Sequence, residues 1–175
     1  SYDPAYSFEL AIIVKNGIEE MFCNLKNVFY YLTVTNENYL QPSMPNNCEE
    51  GIINGIYCLE SINDPDILLF GSGAILNESI DAKSKLNKLG IKAEVYSVTS
   101  FNLLRKDGME NDRQKQHDPS YSKKTFLRKT LGNRDQPIVA STDYMRSYPE
   151  QIRAFLENDF YTCLLYTSPS PRDLS

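Results

Sequence analysis

"DILLFGSGAILNESIDAKSKLNKLGIKAEVYSV" runs from Asp66 to Val98. The apolar run Ile67 to Phe70 is strand-length and reads as a buried strand. Gly71-Ser72-Gly73 make the turn after it. Ile75, Leu76, Ile80, Ala82, Leu86 and Leu89 then mark one helix face, and Gly90 ends that helix. Ala93, Val95 and Val98 belong to the next strand. A strand–helix–strand unit of this kind implies a right-handed crossover and parallel strands.

The same alternation extends outward on both sides. Upstream, Asp3 suits a helix cap and Pro4 its first turn. Tyr6, Leu10, Ile13, Val14, Gly17, Ile18 and Met21 then recur at helical spacing and predict a face that lies on something. "VFYYLTV", Val28 to Val34, is apolar on both faces and predicts an interior strand. Residues 46–63 read as a connector with one amphipathic patch. Downstream, Thr99 to Leu104 reads as a short helix and Asp107 to Ser122 as a polar surface excursion. Tyr121 to Leu131 reads as a helix and Pro137 to Thr142 as a strand. A last helix, Pro149 to Leu156, opens at its proline. The fold class is α/β, with a domain boundary between Glu50 and Asp66.

Bulk properties narrow the function. The chain has 175 residues and a net charge of −5, enough for a sizeable core and no invitation to nucleic acid. No apolar run approaches the ~20 residues that cross a bilayer. With neither a basic start nor an apolar signal core, the expected location is cytoplasmic. Cys23, Cys48, Cys58 and Cys163 match no zinc spacing and read as scattered reduced thiols. His117 sits in the polar stretch "ENDRQKQHDPSYS" and reads as solvated. Residues 105–134 hold nine Lys or Arg against four Asp or Glu. Their alternating signs read as a solvated surface or a docking patch for an acidic partner.

Two local features invite a chemical reading. Gly71-Ser72-Gly73, between a strand and a helix, has backbone N–H groups suited to a phosphate or carboxylate. A dinucleotide fingerprint needs a third glycine where Leu76 stands, so this is half a motif, and a ligand-free tight turn is the competing reading. "TVTNENYLQPSMP", Thr33 to Pro45, places Asn36, Glu37, Asn38 and Tyr39 where an apolar strand ends. Pro42 and Pro45 then keep the chain out of the sheet. These four residues form either the rim of a ligand site or a loop held by Asn side-chain turns.

Several stretches resemble one family in order and spacing: "SYDPAYSFELAIIV", "FYYLTVTNENYLQPSMP", "EEGIINGIY", "LLFGSGAIL", "VYSVTSFNLLRKDG", "ASTDYMRSYPEQIRAFL" and "FYT". It is the homodimeric type of pyruvate dehydrogenase (acetyl-transferring), within the transketolase superfamily. The resemblance covers Ser1 to about Thr162. It implies that residues 1–56 close a transketolase-like, pyrimidine-binding middle domain. Residues 57–162 would be the first half of a transketolase C-terminal-like domain. It implies a parent enzyme that uses thiamine diphosphate and Mg2+ to decarboxylate pyruvate and pass the acetyl unit to a lipoyl-bearing acyltransferase. The parent is expected to be a homodimer. No catalytic, cofactor-binding or metal residue of the family falls on this stretch, which is therefore expected to be inactive alone. Some members carry a histidine where Leu40 stands. Asn36, Glu37, Asn38 and Tyr39 are implied to lie near the active-site approach or the dimer contact. "CLLYTSPSPRDLS", Cys163 to Ser175, resembles a translated sequencing adaptor and is set apart from the fold. The alternative to the enzyme reading is a stand-alone α/β module that binds a small molecule at Gly71-Ser72-Gly73.

Overall fold

A computed structural model describes residues 1–36 and 38–164, with only the backbone of Leu164. Five strands form one sheet in the order β1-β3-β2-β4-β5. These are β1 (Tyr57–Cys58), β2 (Ile67–Gly71), β3 (Ala93–Ser97), β4 (Ile138–Thr142) and β5 (Phe160–Leu164). β2, β3, β4 and β5 pair in parallel, and β1 adds to β3 antiparallel. The α/β class and the parallel crossover agree with the sequence reading.

Side chains sort onto the two faces by parity, as the pleat requires. Leu68, Phe70, Tyr96, Ile138 and Ala140 face one core with Phe101, Leu104, Leu127 and Leu131. Leu69, Val95 and Ala93 face the other with Leu76, where α3 (Ile75–Lys88) covers them. Gly71 permits the tight step from β2 into α3, because a Cβ there would lie 2.7 Å from the Leu76 backbone. Leu89 falls just beyond α3 and is exposed, so it does not extend the buried face.

The second half departs from the sequence reading in helix length. α4 runs from Phe101 to His117, straight through the stretch expected to be a polar excursion. Its buried positions are Phe101, Leu104, Gly108 and Asn111. The spacing is helical, but a glycine and an asparagine occupy half of it, which hid the apolar stripe. α5 starts at Phe126, later than expected, because the Thr125 hydroxyl accepts the Arg128 N–H and caps it. α6 (Ser147–Glu150) begins before Pro149, and a 3-10 turn over Arg153–Phe155 follows. β5 continues past Thr162, with Cys163 and Leu164 opposite Ser141 and Thr142. The rest of the expected appended tail lies outside the described residues.

The first forty residues differ most. α1 spans Ser7–Ile18 and ends in a π-helical turn, Glu19–Cys23. Asp3 does not cap it. The Glu9 carboxylate takes the Ala5 and Tyr6 N–H groups, at 2.5 and 3.1 Å, and sets the start after Pro4. Ile13 and Gly17 are buried against α2 (Glu49–Asn54) and Tyr30, but Val14 and Ile18 are 41% and 51% exposed. Val28 to Val34 forms no interior strand. It makes a single parallel bridge, Tyr2 to Leu32, and Phe29 and Val34 are 88% and 66% exposed. An apolar run covered on two faces would be an interior strand, but the described residues cover only one side of this one, through Tyr30 and Leu32.

Candidate functional site

The carboxyl ends of β2, β3 and β4 lie side by side, where parallel sheets collect their ligands. Asp3 sits across them, 6% exposed. Its N–H donates to the Thr99 carbonyl at 2.8 Å, and its carbonyl accepts the Gly73 N–H at 3.1 Å. Its carboxylate accepts the hydroxyls of Tyr148 at 2.6 Å, Tyr144 at 3.0 Å and Thr33. One residue thus ties the turns after β2, β3 and β4 to the segment carrying Thr33.

Glu9 makes a second junction of the same kind. It is fully buried in the first turn of α1. One carboxylate oxygen accepts the Tyr57 hydroxyl at 2.7 Å and the Ser97 hydroxyl at 2.6 Å. The other accepts the two backbone N–H groups that set the helix start. Glu9 therefore joins α1 to β1 and to the carboxyl end of β3.

The phenols that serve these carboxylates are held in the protonated form. Burial, reinforced by Glu9, pushes Tyr57 far above the ordinary phenol value. Burial and the Asp3 carboxylate do the same for Tyr148, and more modestly for Tyr144. Tyr6 rises to about 12 through burial, Glu9 and Tyr39. Each phenol stays a donor at any physiological pH. The arrangement holds and orients.

At the amino ends of the strands stands an ion pair. Glu94, fully buried on β3, takes Arg134 by two bonds, Nε at 2.5 Å and Nη2 at 2.8 Å. The Ile62 N–H, at 2.9 Å, and the Tyr96 hydroxyl complete it. Burial works to raise the Glu94 carboxyl. The bonds from Arg134, Tyr96 and Ile62 outweigh it and hold the group below the usual carboxylate range.

The residues singled out in the sequence do not converge. Tyr39 packs edge-on against Tyr6 and donates to the Ala5 carbonyl. It borders a hollow of about 140 Å³ with Val34, Thr35 and Gln41. Asn36 and Asn38 are exposed. Glu37 lies outside the described residues. Leu40 is 94% exposed. In the glycine turn, the Gly73 N–H is taken by Asp3, which removes one donor from any phosphate cradle. The Ser72 hydroxyl is buried without a hydrogen-bond partner among the described residues. His117 ends α4 and is exposed. Among the described residues no group of three or more His, Cys, Asp or Glu is placed to hold a metal ion. No helix among them is long and apolar enough to cross a membrane.

Sequence reasoning missed Asp3, Glu9, Glu94 and Arg134. Glu9 did carry a signal. It lies four residues before Ile13 on the face that Gly17 continues, so an acid stood on a buried stripe. The local signal at Asp3 pointed to a helix cap, and not to side-chain partners that lie 30 to 145 residues away.

Comparison with known proteins fits this architecture. Residues 55–163 match the family described as transketolase-like TK C-terminal domain. Residues 1–42 match the pyruvate dehydrogenase E1 component middle domain. The pyruvate dehydrogenase E1 component of Pseudomonas aeruginosa is 44% identical over 169 residues, and that of Escherichia coli K12 is 43% identical over 168. Each alignment covers 94% of this chain and 19% of the relative, so the chain spans about a fifth of those proteins. Among solved structures, a transketolase complex with fructose 6-phosphate from Pichia stipitis superposes with a TM-score of 0.56. It is 20% identical and covers 82% of this chain and 18% of that one, a likeness of fold alone.

Proposed function

Because the chain belongs to the transketolase-like C-terminal domain family, we propose that it is the junction of middle and C-terminal domains in a pyruvate dehydrogenase E1 component. In this reading the parent enzyme decarboxylates pyruvate on thiamine diphosphate with Mg2+. It then passes the acetyl unit to the lipoyl group of an acyltransferase partner. The observation that carries the reading is the identity of 44% across 94% of the chain with one such component. Two domain matches in one chain, in the order middle then C-terminal, support it.

Among the described residues no carboxylate cluster is placed for Mg2+, and no step of the reaction is assigned to them. Their contribution is positional. Asp3 and Glu9 clamp the middle-domain segment onto the carboxyl edge of the C-terminal sheet, and Tyr39 packs against Tyr6 beside that clamp. The stripe of half-buried Leu10 and exposed Val14 and Ile18 is the face on which the remainder of the middle domain rests. The domain junction falls between residues 56 and 57, the parent is a homodimer of the cytoplasm, and residues 163–175 are appended sequence.

A chimera tests this. Residues 1–162 replace the matching stretch of the Pseudomonas aeruginosa relative, and pyruvate-dependent acetylation of a lipoyl domain is measured. The reading expects a folded dimer with activity within about tenfold of the parent. A folded, cofactor-binding chimera without activity would overturn it.

A further inference from the structure

We infer that the cleft between the end of α4 and α5 is a binding site for a dianionic phosphate group. It lies at the amino-end side of the sheet, away from Asp3 and Glu9, and does not rest on the enzyme reading. The cleft is about 260 Å³. Its charged lining is Lys115, Lys123, Lys124 and Arg128 against Asp112 and Glu157. That balance is +2 on a chain whose net charge is −5. A second cleft of about 280 Å³ adjoins it and shares Lys124, Arg128 and Glu157.

The walls are built rather than incidental. The buried Asn111 donates from Nδ2 to the Lys123 carbonyl at 2.6 Å. The Asp107 carboxylate accepts the Phe126 N–H at 2.5 Å. These bonds fasten the loop carrying Lys123 and Lys124 to α4. Phe155, on the floor, sits directly over Gly108, where a Cβ would come within 2.4 Å of the ring.

The charges are arranged for exchange. Lys115, Lys123 and Lys124 make no ion pair among the described residues. Arg128 is mostly covered, with a side chain 23% exposed, so its guanidinium is held in place. Its only described carboxylate partner is Glu157, at 2.7 Å and 82% exposed. An exposed glutamate on a fixed guanidinium is a replaceable counterion. A phosphate monoester offers the same fork geometry with twice the charge, and it meets three unpaired ammonium groups on the rim. A compact concavity, rather than a flat basic face, favours this over an acidic protein segment.

The test uses the 175-residue chain, inorganic phosphate and 15N–1H NMR at constant ionic strength, with chloride as the control. Phosphate is expected to shift the amides of residues 122–128 saturably, and chloride is not. R128Q is expected to weaken binding at least tenfold, and the double variant K123Q/K124Q several-fold. E157Q is expected to tighten binding about threefold, because it removes the competing anion. That gain separates a site from general surface attraction. No saturable shift, equal response to chloride, or weaker binding in E157Q would overturn the proposal. Binding of an oligoglutamate peptide at these amides, without binding of phosphate, would also overturn it and assign the cleft to an acidic segment.

Discussion

Glu9 offers the sharpest test of how the two parts of the chain are joined. Its carboxylate is fully buried and takes four donors: the Tyr57 and Ser97 hydroxyls on Oε1, and the Ala5 and Tyr6 N–H groups on Oε2. Glu9→Ala removes the acceptor for all four and leaves a cavity. Each buried donor left unpaired costs about 1–3 kcal/mol, less where water enters. A loss of about 3–5 kcal/mol is expected, typical of a broken buried network. Glu9→Gln separates the two sides. The backbone N–H groups can only donate, so the amide oxygen must face them. The amide NH2 then faces Tyr57 and Ser97, whose hydroxyls can rotate and accept. This swap should cost about 1–2 kcal/mol. Urea denaturation followed by circular dichroism gives both values, with the m-value checking that the same transition is measured. Glu9→Gln with Tyr57→Phe should depart from additivity by at least ~0.5 kcal/mol, because the two groups touch. Glu9→Ala costing less than about 1 kcal/mol, or no more than Glu9→Gln, would refute the argument.

Further outcomes follow from the packing and the charges. Gly108→Ala should destabilise by about 1–2 kcal/mol in thermal unfolding, because the clash with Phe155 outweighs the helix-propensity gain of ~1 kcal/mol. The Glu94 carboxyl is held below its ordinary value of 4.5 in the folded state, so its stabilisation is present above that pH and lost as pH falls through the folded value. Glu94→Gln should therefore flatten the fall in stability below about pH 4.5, measured by urea titrations at stepped pH. Val14→Asp should change the 175-residue chain by no more than about 0.5 kcal/mol. In the chimera, where the stripe is expected to be covered, the same change should cost well over about 2 kcal/mol in thermal unfolding.

What was legible in the sequence was the part whose signal is local. β2, the glycine turn, α3 and β3 follow one another without interruption, each marked by its own period and its own glycine. α4 escaped because two of its four buried positions are Gly108 and Asn111. Neither residue reads as core, yet one makes room for Phe155 and the other ties down Lys123. Helix starts shifted wherever a side chain from elsewhere did the capping. Glu9, not Asp3, set the start of α1, and Thr125 set that of α5. Val28 to Val34 shows the opposite error. It is apolar on both faces and forms no interior strand, because an apolar pattern states what a segment needs and not where the cover comes from.

The site was illegible for a different reason. A buried carboxylate is tolerated only where enough donors converge on it, and convergence is a property of the fold. Asp3 depends on Thr33, Tyr144 and Tyr148, and Glu9 on Tyr57 and Ser97. No periodicity links such positions. Burial holds Tyr57 and Tyr148 protonated, so both carboxylates are served by neutral donors that physiological pH does not switch off. An apolar contact at the same place would tolerate sliding between the segments it joins, since dispersion is not directional. Hydrogen bonds of 2.6–3.0 Å to Asp3 fix distance and angle together. That is what the segment carrying Thr33 requires if its position is to be set by the sheet and not by its own sequence.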